Sequence, residues 1–120
     1  MVRVAVAHKG NDSVTPSRLV KVFARLRDLH PDFSLNYAML LFTVASNPGI
    51  TQRKLYTDLG VSNSAASRAL AILSDAGARD TPALHLIRVD VMPEDRRERV
   101  LTLTSKGQRL IEDCCAYLCD

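Results

Sequence analysis

One stretch constrains this chain more than any other: Leu59-Gly60-Val61-Ser62-Asn63-Ser64-Ala65-Ala66-Ser67-Arg68-Ala69-Leu70. It reads as the end of one helix, a tight turn and the start of a second. Gly60 can take the positive φ that such a turn requires, and the Ser62 hydroxyl can cap the free amides of the next helix. Val61, Ala66, Leu70 and Leu73 then recur at near-helical spacing as a thin apolar stripe. The other face begins with Asn63, Ser64, Ser67 and Arg68. Short polar side chains let a helix approach a base edge closely, and an arginine reaches a guanine or a phosphate. This is the pattern of the second helix of a helix-turn-helix. Upstream, Asn47-Pro48-Gly49 marks a turn and Thr51 can cap a helix running from Gln52 to Leu59, with Leu55 and Leu59 inward. Gln52, Arg53 and Lys54 then sit at its N-terminus, where phosphates are met.

The rest of the composition is compatible with that reading and excludes others. A chain of 120 residues suits one domain, and a formal charge of +3 permits a nucleic-acid partner without requiring one. The 3 cysteines, Cys114, Cys115 and Cys119, are an odd, clustered set and a poor disulfide framework. Cys115 and Cys119 share a helix face, yet no second pair or histidine completes a zinc pattern. His8, His30 and His85 are scattered, and no Gly-rich phosphate loop is present. No enzyme, cofactor or metal is therefore expected. No apolar run approaches the length of a membrane span, so a cytoplasmic protein without membrane contact is expected.

In chain order, residues 1–14 read as an N-terminal arm or short strand carrying Arg3 and Lys9, and residues 15–120 as the folded domain. Thr15-Pro16 starts a helix, with Pro at its first position. Leu19, Val20, Phe23 and Leu26, with Leu29 or Val22, should form its apolar face through about residue 29, and His30-Pro31 ends it. Residues 34–46, capped by Ser34, are apolar nearly all round and predict a central buried helix. The helix after the turn should end near Ala76-Gly77. Leu84 to Val91 then reads as a strand, with His85, Ile87, Val89 and Val91 on one face. Glu98 to Thr104 reads as its return, with Leu101 and Leu103 alternating. A hairpin directly after a helix-turn-helix is a wing. Thr104 or Ser105 can cap a last helix, Ser105 with Gln108 making a capping-box pattern. Leu110, Ile111, Cys114, Cys115 and Leu118 give that helix a broad apolar face. Together with the first helix, it is a candidate dimer surface.

The wing loop, Glu94 to Arg99, carries Arg96, Arg97 and Arg99 against Glu94, Asp95 and Glu98, so it is no crude basic patch. An aspartate two residues before an arginine can hold it by a charge-assisted bond. A preset arginine at a hairpin tip can enter a narrow minor groove.

This order of elements resembles the MarR family of winged-helix transcription regulators, and reads as a shortened member. Two matches carry the resemblance. One is Gly49-Ile50-Thr51-Gln52, Leu59-Gly60-Val61-Ser62, Ser67-Arg68, Leu70 and Leu73. The other is the wing, where Asp95, Arg97, Leu101, Leu103, Thr104 and Gly107 fall in register with the family's pattern. The resemblance covers roughly residues 17 to 118. It departs from the family in the loop from Ala78 to Leu84, where Ala78-Arg79 stands in place of a common Gly-Leu. It implies a mostly α (α+β) winged helix-turn-helix with a two-stranded hairpin wing, acting as a dimer. The recognition helix would enter the major groove and Arg97, oriented by Asp95, the minor groove, on a pseudo-palindrome with half-sites about one helical turn apart.

The expected function is therefore a sequence-specific, double-stranded DNA-binding transcription regulator, working as a homodimer through the first and last helices. Its expected DNA contacts are Thr51, Gln52, Arg53, Lys54, Ser62, Asn63, Ser64, Ser67, Arg68, Asp95, Arg96 and Arg97. A small-molecule effector has no support in the sequence. Two rival readings keep the same fold: a winged-helix module for protein interaction or assembly, and a replication or partition DNA-binding protein.

Overall fold

The computed structural model describes residues 14–119. The expected N-terminal arm or strand, with Arg3 and Lys9, lies outside the described residues apart from Val14. Helix α1 spans Pro16–Leu29, α2 Leu35–Ser46, α3 Gln52–Leu59, α4 Asn63–Leu73 and α5 Ser105–Leu118; strand β1 spans Ile50–Thr51, β2 Ile87–Met92 and β3 Asp95–Leu103. The fold is a mostly helical winged helix with a β-hairpin wing.

The helices begin where short hydroxyl side chains can satisfy their free amides. Thr15, Ser34, Thr51, Ser62 and Thr104 each accept from the amide three residues on. The last of these removes the capping box expected at Ser105. Thr104 is the cap, because its hydroxyl is fixed from the other side by donating to the His85 carbonyl at 2.7 Å. Gln108 pairs instead with Glu112 at 3.3 Å, one turn on.

The helix α2 lies at the centre, with Leu40, Leu41 and Val44 fully buried. They join Leu55 of α3, Ile72 and Leu73 of α4, Leu101 of β3 and Leu110 of α5 in one core. One edge of α2 escapes it: Leu35 and Met39 are exposed. The apolar face of α1 is likewise split. Val22 and Leu26 are its buried residues, while Leu19, Val20 and Phe23 are exposed. The buried stripe is narrower than expected, because α1 rests mainly on α5. Arg18 donates to the Leu118 carbonyl at 3.0 Å and Arg25 pairs with Asp113 at 3.3 Å, so these cations face α5.

Two further boundaries differ from expectation for one reason. Helix α4 stops at Leu73 rather than near Ala76-Gly77, and residues 84–86 are not yet strand. The carbonyls of Ile72, Leu73 and Ser74 accept from the amides of Leu84, Leu86 and His85 at 2.8, 2.7 and 2.9 Å. The helix end is thus satisfied mainly by a distant segment, while Gly77, at φ 71, donates its amide to the Ala71 carbonyl at 2.7 Å. His85 adopts φ 57. That breaks the alternation, so Leu86 and Ile87 are both buried and His85 faces out.

The sheet has three strands in the order β1-β3-β2, all antiparallel. The third strand, β1, was not expected. It is two residues long, pairing Ile50 with Leu101 and Thr51 with Val100. It ties the turn before α3 to the base of the wing. Val91 at the outer end of β2 is exposed, and the buried face narrows to Ile87 and the half-buried Val89.

Candidate nucleic-acid interface

The turn between α3 and α4 is built as a helix-turn-helix requires. Gly60 closes α3 in the left-handed conformation at φ 68, and its amide donates to the Tyr56 carbonyl. Two residues later Ser62 opens α4. Ala66, Ala69, Leu70 and Leu73 turn inward, which leaves Asn63, Ser64, Ser67 and Arg68 on the exposed face. The small alanines are what let α4 lie close over α2, with which it packs extensively.

The expected contact residues fall into four groups once placed: two caps, the exposed face of α4, the first turn of α3 and the wing. Thr51 and Ser62 are caps, accepting from the amides of Lys54 and Ala65, each at 3.2 Å. Their hydroxyls are already engaged with the backbone, and the Ser62 oxygen also lies 3.3 Å from that of Ser64. Ser67 is tied as well: its hydroxyl lies 3.2 Å from the Tyr56 hydroxyl of α3. Asn63 and Arg68 are exposed side chains on the same helix face. Gln52, half-buried, and the exposed Arg53 and Lys54 occupy the first turn of α3; Lys54 pairs with Asp58 one turn on, at 3.2 Å.

The wing tip is not a simple turn. The hairpin register jumps from Met92 opposite Asp95 to Val91 opposite Arg99. Arg96, Arg97 and Glu98 therefore bulge out of the ladder. Two contacts fix this arch. Arg99 Nη1 donates to the Arg96 carbonyl at 2.8 Å. Asp95 Oδ1 accepts from the Arg97 amide at 3.0 Å and lies 3.5 Å from Arg97 Nε. The aspartate thus fixes the backbone of the arginine first and its side chain second. Arg97 projects with 91% of its side chain accessible, so the charge at the tip is presented, not spent on the fold.

Two members of this surface were not legible in the sequence. Tyr56 tethers Ser67, and hydroxyls eleven residues apart meet only once the two helices are packed. Glu98, in sequence only one charge of the wing loop, pairs with Arg53 of α3 at 3.7 Å. Gln52, Arg53, Tyr56, Arg97, Glu98 and Arg99 line a notch of about 180 Å³ between α3 and the wing.

Among the described residues no group of three His, Cys, Asp or Glu is placed to hold a metal ion. Cys114 is buried, and desolvation pushes its thiol pKa up, with Arg25 opposing. Cys115 and Cys119 are exposed. No helix among the described residues is long and apolar enough to cross a membrane.

No family model matches the sequence, and no curated protein matches it. Solved structures do match. The complex of S. aureus MepR with DNA superposes at a TM-score of 0.67 and 20% identity, over 84% of this chain and 75% of that one. The PcaV transcriptional regulator from Streptomyces coelicolor, in complex with its natural ligand, superposes at 0.59 and 20% identity, over 98% of this chain and 78% of that one. The transcriptional repressor CouR, bound to a 23-mer DNA duplex, gives 0.57 and 24% identity, over 85% of this chain and 68% of that one. The fold is therefore the MarR-type winged helix.

Proposed function

We propose that this chain, built on the MarR-type fold, is a double-stranded DNA-binding transcription regulator that reads a pseudo-palindromic site as a homodimer. The observation that carries the reading is two presented elements joined through α3: Ser67 of α4 meets Tyr56, and Tyr56 lines a notch with Arg97 of the wing. Helix α4 exposes Asn63, Ser64, Ser67 and Arg68, and the wing exposes Arg97 on a backbone fixed by Asp95. A recognition helix needs short polar groups and an arginine for base edges. A wing arginine needs a preset approach to the minor groove. Two structural neighbours of this fold, MepR and CouR, are seen bound to DNA.

The roles divide accordingly. Asn63, Ser64, Ser67 and Arg68 face the major groove, and Arg97, with Arg96 beside it, the minor groove. Gln52, Arg53 and Lys54 meet phosphates, which position the protein without reading sequence. Thr51 and Ser62 act through their helices: as caps they hold the first amides of α3 and α4 in place. Asp95 acts through Arg97.

The dimer reading rests on the apolar surface left uncovered in one chain. Leu19 and Phe23 of α1 are exposed, and with Phe42 of α2 and Ile111, Cys115 and Leu118 of α5 they line a shallow groove of about 280 Å³. Contiguous apolar surface of this kind marks an interface.

The test is the double substitution Arg68→Ala with Arg97→Ala. Both side chains are exposed, so the variant should melt as the parent does. It should lose most of its affinity for a selected duplex. Retention of full affinity by the folded variant would overturn the assignment of Arg68 and Arg97 to the DNA, and a folded parent that binds no duplex would favour a winged helix used for protein assembly.

A further inference from the structure

A carboxylate on a surface that meets DNA opposes the phosphates, so Glu98 needs an explanation. Stability does not supply one. Its partner Arg53 has a side chain 77% exposed and lies 3.7 Å away, and such ion pairs contribute little. Yet Glu98 is the more enclosed partner, with 16% of its side chain accessible. It sits in the notch between α3 and the wing, which Arg53, Arg97 and Arg99 also line. A recognition helix in the major groove and a wing in the adjacent minor groove straddle the phosphate backbone that separates them. The notch lies between the wing and α3, the helix before the recognition helix, whose first turn carries Arg53. Arg53 thus has two competing anions: the Glu98 carboxylate in the free protein and a backbone phosphate when the DNA is fully seated.

We propose that Glu98 is a specificity-determining residue, which holds Arg53 against the wing in the free protein and in loose complexes, and yields it to a phosphate only when helix and wing seat together. The inference rests on the DNA-binding reading above. In a loose, sequence-independent complex the notch stays unfilled, and Arg53 contributes nothing to affinity. In the seated complex it adds one phosphate contact. The carboxylate therefore widens the gap between specific and random DNA.

The experiment measures the parent, Glu98→Gln, Arg53→Ala and the double variant against one selected duplex and one random duplex, over a salt series. Glu98→Gln should bind random DNA more tightly, by up to about fivefold, the size of an exposed ion pair. Its salt dependence on random DNA should steepen by about 0.9 in log–log slope, one added phosphate. Arg53→Ala should weaken the selected duplex and leave random DNA unchanged, and in its background Glu98→Gln should have no effect on random DNA. A merely structural role for Glu98 would move melting temperature, not the salt slope. Equal loss on both duplexes in Arg53→Ala would overturn the proposal, as would unchanged random binding in a folded Glu98→Gln. Failure of the parent to bind any duplex would instead remove the reading beneath it.

Discussion

The hydroxyls of Tyr56 and Ser67, one on each helix of the helix-turn-helix, lie 3.2 Å apart and join the two helices at their surface. The ring of Tyr56 packs against the core, so its hydroxyl is a fixed post and Ser67 is the group it orients. Tyr56→Phe keeps the ring and removes the post. Protein stability should change by less than about 1 kcal/mol, since an exposed hydrogen bond contributes little net. Affinity for the selected duplex should fall by up to about fivefold, because the hydroxyl proposed to face a base loses its preset rotamer. Ser67→Ala should cause a similar loss, and the double variant little more. Additive losses in a binding cycle would show that the two hydroxyls act separately.

Gly60 and Gly107 should respond to the same substitution for different reasons. Gly60 sits at φ +68 with open space around a would-be Cβ, so Gly60→Ala meets only backbone strain, roughly 1–2 kcal/mol. Gly107 has ordinary backbone, but a Cβ there would collide with the Leu86 carbonyl. That carbonyl also accepts from the Thr104 amide at 3.0 Å. It cannot retreat without disturbing the joint that ends α4 and starts α5. Gly107→Ala should therefore destabilise more, by roughly 3 kcal/mol, the upper end for overpacking. Denaturant unfolding of the two variants side by side checks the order.

Cys114 should be the silent thiol. It is 3% exposed, and burial holds its pKa above the usual thiol range. A thiol reagent should label Cys115 and Cys119 in the native protein and reach Cys114 only on unfolding. The sign of the pH effect follows. The unfolded thiol ionises first, so above its ordinary pKa the unfolded state binds fewer protons and stability falls as pH rises. The contribution is fully present below about pH 8.5, the ordinary cysteine value. Cys114→Ala should flatten the alkaline limb of the stability profile, and an unchanged limb would assign it to other groups.

What the sequence revealed and what it hid divide along local and non-local causes. The starts of α1, α2, α3 and α4 were legible because Thr15, Ser34, Thr51 and Ser62 act within one turn of their own position. Gly60 was legible for the same reason. The end of α4 was not, since its carbonyls are satisfied by amides from residues 84–86. The choice of Thr104 over Ser105 depended on the His85 carbonyl, nineteen residues away. Strand β1 is too short to leave a periodic signal and exists through its pairing with β3. In the interface, the helix face and the Asp95–Arg97 pair are local patterns and could be read. The links from Tyr56 to Ser67 and from Arg53 to Glu98 exist only after packing.

The most direct measurement of the central claim is a titration against random-sequence duplex DNA at two salt concentrations, beside a pool enriched for tight binders. The account predicts binding that weakens steeply with salt, and a palindromic winner far tighter than random DNA, with half-sites about one helical turn apart. A folded, dimeric protein that binds no duplex at low salt would contradict it, and the face formed by α4 and the wing would then belong to a protein partner.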